Sequence, residues 1–195
     1  MTKIIKGKTY HHLGRADGVD YHHKIKGCDF KYNDGGRSKY FKGDSGDCVV
    51  RSISIASDLD YKKVYDDLFI LNQNYIDDRN NKLSRHMKSR NQVSPRNGNH
   101  KKVYHQYILG IGFKWVPLMT IGSGCKFHLR KDEVPEGTAI LSLSKHLSCI
   151  IDGVINDSYN PDRAGMRCIY GYYEKLQIWK TINQNFFLMV IWVLK

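Results

Sequence analysis

Three residues far apart in a 195-residue chain have side chains that together can break an amide bond: Cys48, His146 and Asp157. A thiol is a nucleophile when held as thiolate, an imidazole can take and return its proton, and a carboxylate can hold that imidazole in one orientation. Cys48 lies in Gly43-Asp44-Ser45-Gly46-Asp47-Cys48-Val49-Val50-Arg51-Ser52. Glycines and short polar residues make the first part a tight turn, and Asp47 is a good N-cap for a helix running from Cys48 to about Ser57. The thiol therefore falls on a first helical turn, where unpaired amides and the positive end of the helix dipole lower its pKa. On the turn alone, a small buried cysteine is the plainer reading.

The other two residues belong to Lys145-His146-Leu147-Ser148-Cys149-Ile150-Ile151-Asp152-Gly153-Val154-Ile155-Asn156-Asp157-Ser158-Tyr159. Asp-Gly between β-branched runs predicts a two-residue hairpin turn. The register then sets Ile151 against Val154, Ile150 against Ile155, Cys149 against Asn156, Ser148 against Asp157 and His146 against Tyr159. Alternation puts His146 and Asp157 on one face as diagonal neighbours, about 7–8 Å apart at the backbone, a gap long side chains can close. A polar pair on a sheet surface would look the same. The helix-start thiol and the chain order Cys, His, Asp favour nucleophilic chemistry.

These residues resemble the papain-like cysteine peptidase superfamily, whose members place the nucleophile at the start of a central helix and the His, then Asp or Asn, on a following sheet. Gly46-Asp47-Cys48 is similar to the Cys turn of bacteriocin-leader peptidases and murein-cleaving amidohydrolases. Cys48-Val49-Val50-Arg51-Ser52 is similar to the Cys-x-x-Arg-Ala/Ser start of ovarian-tumour-type deubiquitinases. The likeness spans roughly residues 43–57 and 138–160. It implies an α+β, papain-like fold with an N-terminal catalytic helix packed against an antiparallel sheet, and thiol-dependent hydrolysis with no cofactor. Where that superfamily usually has an oxyanion-donating Gln six residues before the Cys, this chain has Lys42. The donors expected here are the Cys48 amide with Lys42, Ser45 or another backbone N–H. The same three residues serve acyl transfer equally well.

The rest of the chain sets the context. A formal charge of +12 implies attraction to polyanions or acidic partners. Five cysteines, an odd number without a CxxC pair, suggest free thiols in a reducing compartment, and the N-terminus lacks the apolar run of a secretory signal, so a cytoplasmic location is expected. The first 42 residues form a basic segment with His11-His12 and His22-His23, read as solvated and not as metal ligands, and with a hairpin expected over 29–42. Residues 43–180 form the expected catalytic domain, helical over about 48–112 and β-rich over about 113–180. Asp58 or Asp60 can cap a second helix whose apolar face is Tyr61, Val64, Leu68 and Leu71, and a further helix face runs from Val103 to Ile111.

Between them, Arg79 to Lys102 holds eight Lys or Arg and no acid or aromatic residue. It reads as a solvated basic loop, with Arg85, Lys88 and Arg90 steering an acidic protein or peptide substrate. A nucleic-acid-binding protein on a peptidase-like fold is the alternative, less favoured because no aromatic is interleaved for base stacking. Cys125, with no base beside it, reads as structural. Residues 181–195 form an apolar tail whose nine-residue run is too short to span a bilayer as a helix, which takes about 20 residues.

Overall fold

The computed structural model describes residues 27–176 apart from 44 and 121, together with the backbone of two short antiparallel strands, β1 (Lys3–Ile5) and β2 (Lys8–Tyr10). The four N-terminal histidines and the apolar tail lie outside the described residues.

Among the described residues the architecture is mixed α/β, with four α-helices and a six-stranded, mostly antiparallel sheet. Its elements are β3 (Asp29–Tyr32), α1 (Cys48–Ser57), α2 (Tyr61–Asp78), α3 (Lys82–Ser89), α4 (Lys101–Gly110), β4 (Phe113–Pro117), β5 (Thr138–Leu143), β6 (His146–Ile151), β7 (Val154–Asp157) and β8 (Ile169–Lys175). The sheet order is β3-β7-β6-β5-β8-β4, and only β3 and β7 are parallel.

Alternation along the strands separates two apolar layers. Ile140, Leu147, Cys149 and Tyr173 face the helices, where Val49, Val50, Ile53 and Ala56 of α1 meet them. Ala139, Leu141, Leu143, Ile150, Ile155 and Tyr172 face the opposite way, against Leu118, Phe127, Leu129 and Val134. Helix α1 is thus central, buried from Val49 through Ser54. Truncating a fully buried residue such as Ile53 to Ala removes transfer energy and leaves a cavity, a cost of about 2–5 kcal/mol.

The β6–β7 hairpin forms in the expected register, with Cys149 opposite Asn156, Ile150 opposite Ile155 and Ile151 opposite Val154. Asp152 and Gly153 both take positive φ, 49° and 80°, the backbone of a primed two-residue turn.

Several expectations are corrected. The hairpin over 29–42 does not form. Strand β3 instead pairs in parallel with β7, and no return strand follows it, because the Asp34 carboxylate accepts from the amides of Gly36 and Ser38, both at 2.9 Å, and folds the next residues into a 3-10 turn, Arg37–Lys39. The basic segment is a loop only in part: it is turn and coil over 90–94 and 98–100, but holds α3. Asn81 and Ser84 form a reciprocal capping box that starts α3, and buried Met87 anchors it. On α2 the inward face runs 61, 64, 68, 72, so Asn72 is buried, bonded to Asn99 at 2.9 Å, while Leu71 is exposed. Asp60 caps α2; Asp58 closes α1 in the left-handed conformation.

The cysteines are not all free. Cys125 and Cys168 form a disulfide with Cα atoms 5.6 Å apart, leaving Cys28, Cys48 and Cys149 as thiols. The 118–134 arm folds back along the start of β8, where the Ile169 amide donates to Phe127 at 2.9 Å and the Leu129 amide to Arg167 at 2.7 Å. Spacing alone could not foresee that approach.

Candidate active site

Cys48 occupies the first turn of α1, His146 opens β6, and Asp157 closes β7. The structure brings the three together. His146 Nε2 and Asp157 Oδ2 are 2.7 Å apart and both residues are buried. With Nε2 so engaged, Nδ1 is the ring nitrogen left for the thiol. The Tyr159 ring lies against the imidazole, centroids 5.2 Å apart, with half of its surface open to solvent.

The ionisations are mutually supporting. Burial pushes the Cys48 thiol up, but its hydrogen bond to His146, the Leu147 backbone N–H and the Arg51 guanidinium outweigh this and hold it below the ordinary value of 9.0. Burial disfavours the His146 imidazolium, yet the hydrogen bonds it donates to Asp157 and Cys48 raise it to about 9. Asp157, opposed by burial, is held below 3.8 chiefly by its bond to His146. Each shift favours the charged form: thiolate on Cys48, imidazolium on His146 and carboxylate on Asp157. By contrast, burial pushes Cys28 and Cys149 up to about 12.

Asp47 departs from the sequence expectation. It stands at the N-cap, but its carboxylate caps nothing. It turns inward, is fully buried, pairs with Arg51, and accepts from the Tyr61 hydroxyl at 2.5 Å, with Arg37 4.0 Å away. The first helical bond is Arg51 N–H to Asp47 C=O, so the amides of Cys48, Val49 and Val50 have no acceptor within the helix. No capping carboxylate neutralises them.

Arg51, Tyr61 and Tyr159 are site residues that spacing arguments passed over. For Arg51 a signal existed: it stands four residues after Asp47, the helical ion-pair spacing. Its Nη2 also lies 3.6 Å from Asp157 Oδ1.

Of the oxyanion candidates, Lys42 is exposed, and its carbonyl accepts from Arg96 at 3.1 Å. Ser45 is half-buried, with its hydroxyl enclosed and without a partner among the described residues. The turn is braced from the basic segment: the Gly46 amide donates to Arg96 C=O at 2.8 Å, and a Cβ on Gly46 would meet that oxygen at 3.2 Å.

Arg85, Lys88 and Arg90 are solvent-exposed on and just after α3. A groove of about 670 Å³ lies elsewhere, between the end of α2 and the start of α4, lined in part by Arg79, His100, Lys101, Lys102 and His105 and by no acidic residue. It does not include Cys48, His146 or Asp157. Among the described residues no three His, Cys, Asp or Glu converge as metal ligands, and no helix is long and apolar enough to cross a membrane.

Comparison with protein-family models, curated proteins and solved structures returned no match.

Proposed function

We propose that this chain is a thiol hydrolase of papain-like type that cleaves an amide or isopeptide bond in a protein or peptide. The observation that carries the reading is the convergence of Cys48, on an uncapped helix start, with the buried His146–Asp157 pair.

The chemistry follows from the geometry. The Cys48 thiolate attacks the carbonyl carbon, and the carbonyl oxygen takes the electron pair as an oxyanion. The free amides of the first turn are the donors aimed at that charge, the Cys48 N–H first. The His146 imidazolium gives its Nδ1 proton to the departing amine, leaving a thioester on Cys48. Neutral His146 then takes a proton from water, whose oxygen attacks the thioester and releases the acid. Asp157 stays ionised and holds the ring through Nε2. An amine in place of water gives acyl transfer by the same steps.

The exposed cations of the basic segment suit an acidic substrate. The cationic groove is the observation on which a nucleic-acid-binding reading rests. A thiol nucleophile points to a reducing setting such as the cytoplasm and the Cys125–Cys168 disulfide to an oxidising one. The thiol state of that pair in protein from its native cells decides between them.

Treatment of wild type and Cys48→Ala with a peptide acyloxymethyl ketone tests the function. One adduct, on Cys48, is expected, together with new amino termini in a digested peptide library from wild type alone. RNA or DNA binding without any Cys48-dependent cleavage overturns the proposal.

A further inference from the structure

We propose that Arg51 is a positioning residue of this site: its guanidinium bridges the Asp157 and Asp47 carboxylates, locking the His146–Asp157 pair to the helix that carries Cys48. The inference rests on the thiol-hydrolase reading and deepens it.

Asp157 must be restrained at both oxygens if its orientation is to be unique. Oδ2 meets His146 Nε2 at 2.7 Å. Oδ1 accepts from the Ser158 amide at 2.7 Å and faces Arg51 Nη2 at 3.6 Å, a Coulombic contact slightly long for a hydrogen bond. The Ser158 amide belongs to the same strand end as Asp157 and moves with it. His146 and Ser148 reach the carboxylate from β6, the other strand of the same hairpin, and Arg51 is the contact that comes from a helix. It stands three residues after Cys48 on α1, so one rigid helix carries both the nucleophile and the counter-ion of the carboxylate that orients the base. The hairpin is thereby registered against the thiol.

The other nitrogen of the fork serves Asp47, which is fully buried. Turned to Arg51 and Tyr61, the Asp47 carboxylate is kept off the first-turn amides, where it would compete with the thiolate and the oxyanion for the same N–H groups. A lysine keeps the charge but is a single point and cannot serve two carboxylates in this planar way. Buried ion pairs are poor stabilisers compared with well-packed apolar residues, so a purely structural need does not account for placing one here.

Arg51→Met alone leaves Asp47 buried and poorly compensated, which can unfold the protein. The test is therefore the Asp47→Asn/Arg51→Met double variant, with Asp47→Asn as its reference and Arg51→Lys as a second variant. The readout is the iodoacetamide alkylation rate of Cys48 between about pH 5 and pH 9, with circular dichroism reporting the fold. Relative to Asp47→Asn, the acid limb of the double variant should move up by about one pH unit, so alkylation near pH 6 falls about tenfold. Arg51→Lys should lie between wild type and the double variant. A folded double variant with the profile of Asp47→Asn overturns the proposal. If the double variant does not fold, Arg51→Lys decides: an upward shift supports the fork, and a wild-type profile overturns it. If Cys48 of wild type is itself no more reactive than an ordinary thiol and His146→Ala changes nothing, the hydrolase reading falls. If His146→Ala slows Cys48 and the Arg51 variants do not, only the role given to Arg51 falls.

Discussion

His146 Nε2 and Asp157 Oδ2 lie 2.7 Å apart across a hairpin, eleven residues apart in sequence, with both side chains removed from solvent. A carboxylate taken out of water needs a donor, and an imidazole beside a buried carboxylate gains a proton. This pair and the helix-start thiol make the site's behaviour measurable residue by residue.

Cys48 should be the fastest cysteine toward iodoacetamide near pH 6. Cys28 and Cys149 are pushed up to about 12, and Cys125 and Cys168 are joined to each other. Peptide mapping by mass spectrometry under non-reducing conditions reads this directly. Equal labelling of Cys28 or Cys149 would contradict the assignment.

His146→Ala should slow Cys48 alkylation near pH 6 more than Asp157→Ala does, both variants remaining folded. The imidazole touches the thiol, whereas Asp157 acts through the imidazole. A folded Asp157→Ala protein indistinguishable from wild type would remove Asp157 from the site.

Asp157 also links stability to acid. Its carboxyl is held below 3.8 in the fold, so its stabilisation is complete above the unfolded value and is lost as pH falls through the folded one. The melting temperature of wild type should therefore exceed that of Asp157→Asn near pH 6 and converge on it in acid, as pH falls through the lowered value of the folded carboxyl. A gap that persists unchanged in acid would mean that the carboxylate's charge contributes nothing.

For hydrolysis, kcat/KM should follow a bell. The acid limb reports loss of the thiolate, and the alkaline limb falls near 9, where the His146 imidazolium loses the proton it must give to the leaving amine. A limb near 6.5, the ordinary imidazole value, would show that Asp157 and Cys48 do not hold that proton.

Replacing Arg85, Lys88 and Arg90 with Ser should lower kcat/KM for an acidic substrate several-fold at low salt and leave kcat nearly unchanged. Exposed charges steer encounter over a Debye length of about 8 Å at physiological ionic strength and do not touch the reacting atoms. A salt-insensitive kcat/KM would exclude steering by these residues.

Local chemistry was readable wherever neighbours in sequence are neighbours in space. Asp152-Gly153 dictates a primed turn, the turn dictates the register, and the register puts His146 and Asp157 on one face before any packing is considered. Helix α1 beginning at Cys48 is legible for the same reason. What the Asp47 carboxylate would do was not. The first-turn amides were the nearest donors, but a buried guanidinium and the Tyr61 hydroxyl, fourteen residues on, offered a stronger charge-assisted pairing.

The basic segment misled because its charges mask a capping box and one anchoring residue, Met87, whose burial depends on α2 lying beneath it. Strand β3 needed β7 as a partner 125 residues away, in the pairing of Asp29 with Val154, and no local pattern specifies a parallel neighbour. The meeting of Cys125 with Cys168 likewise required the arm to fold back on β8. Turn, register and helix start follow from local residue order, because backbone sterics and side-chain alternation act within a few residues. Which buried charge pairs with which is settled by packing, because a desolvated carboxylate selects its partner from whatever donors the folded core brings within reach.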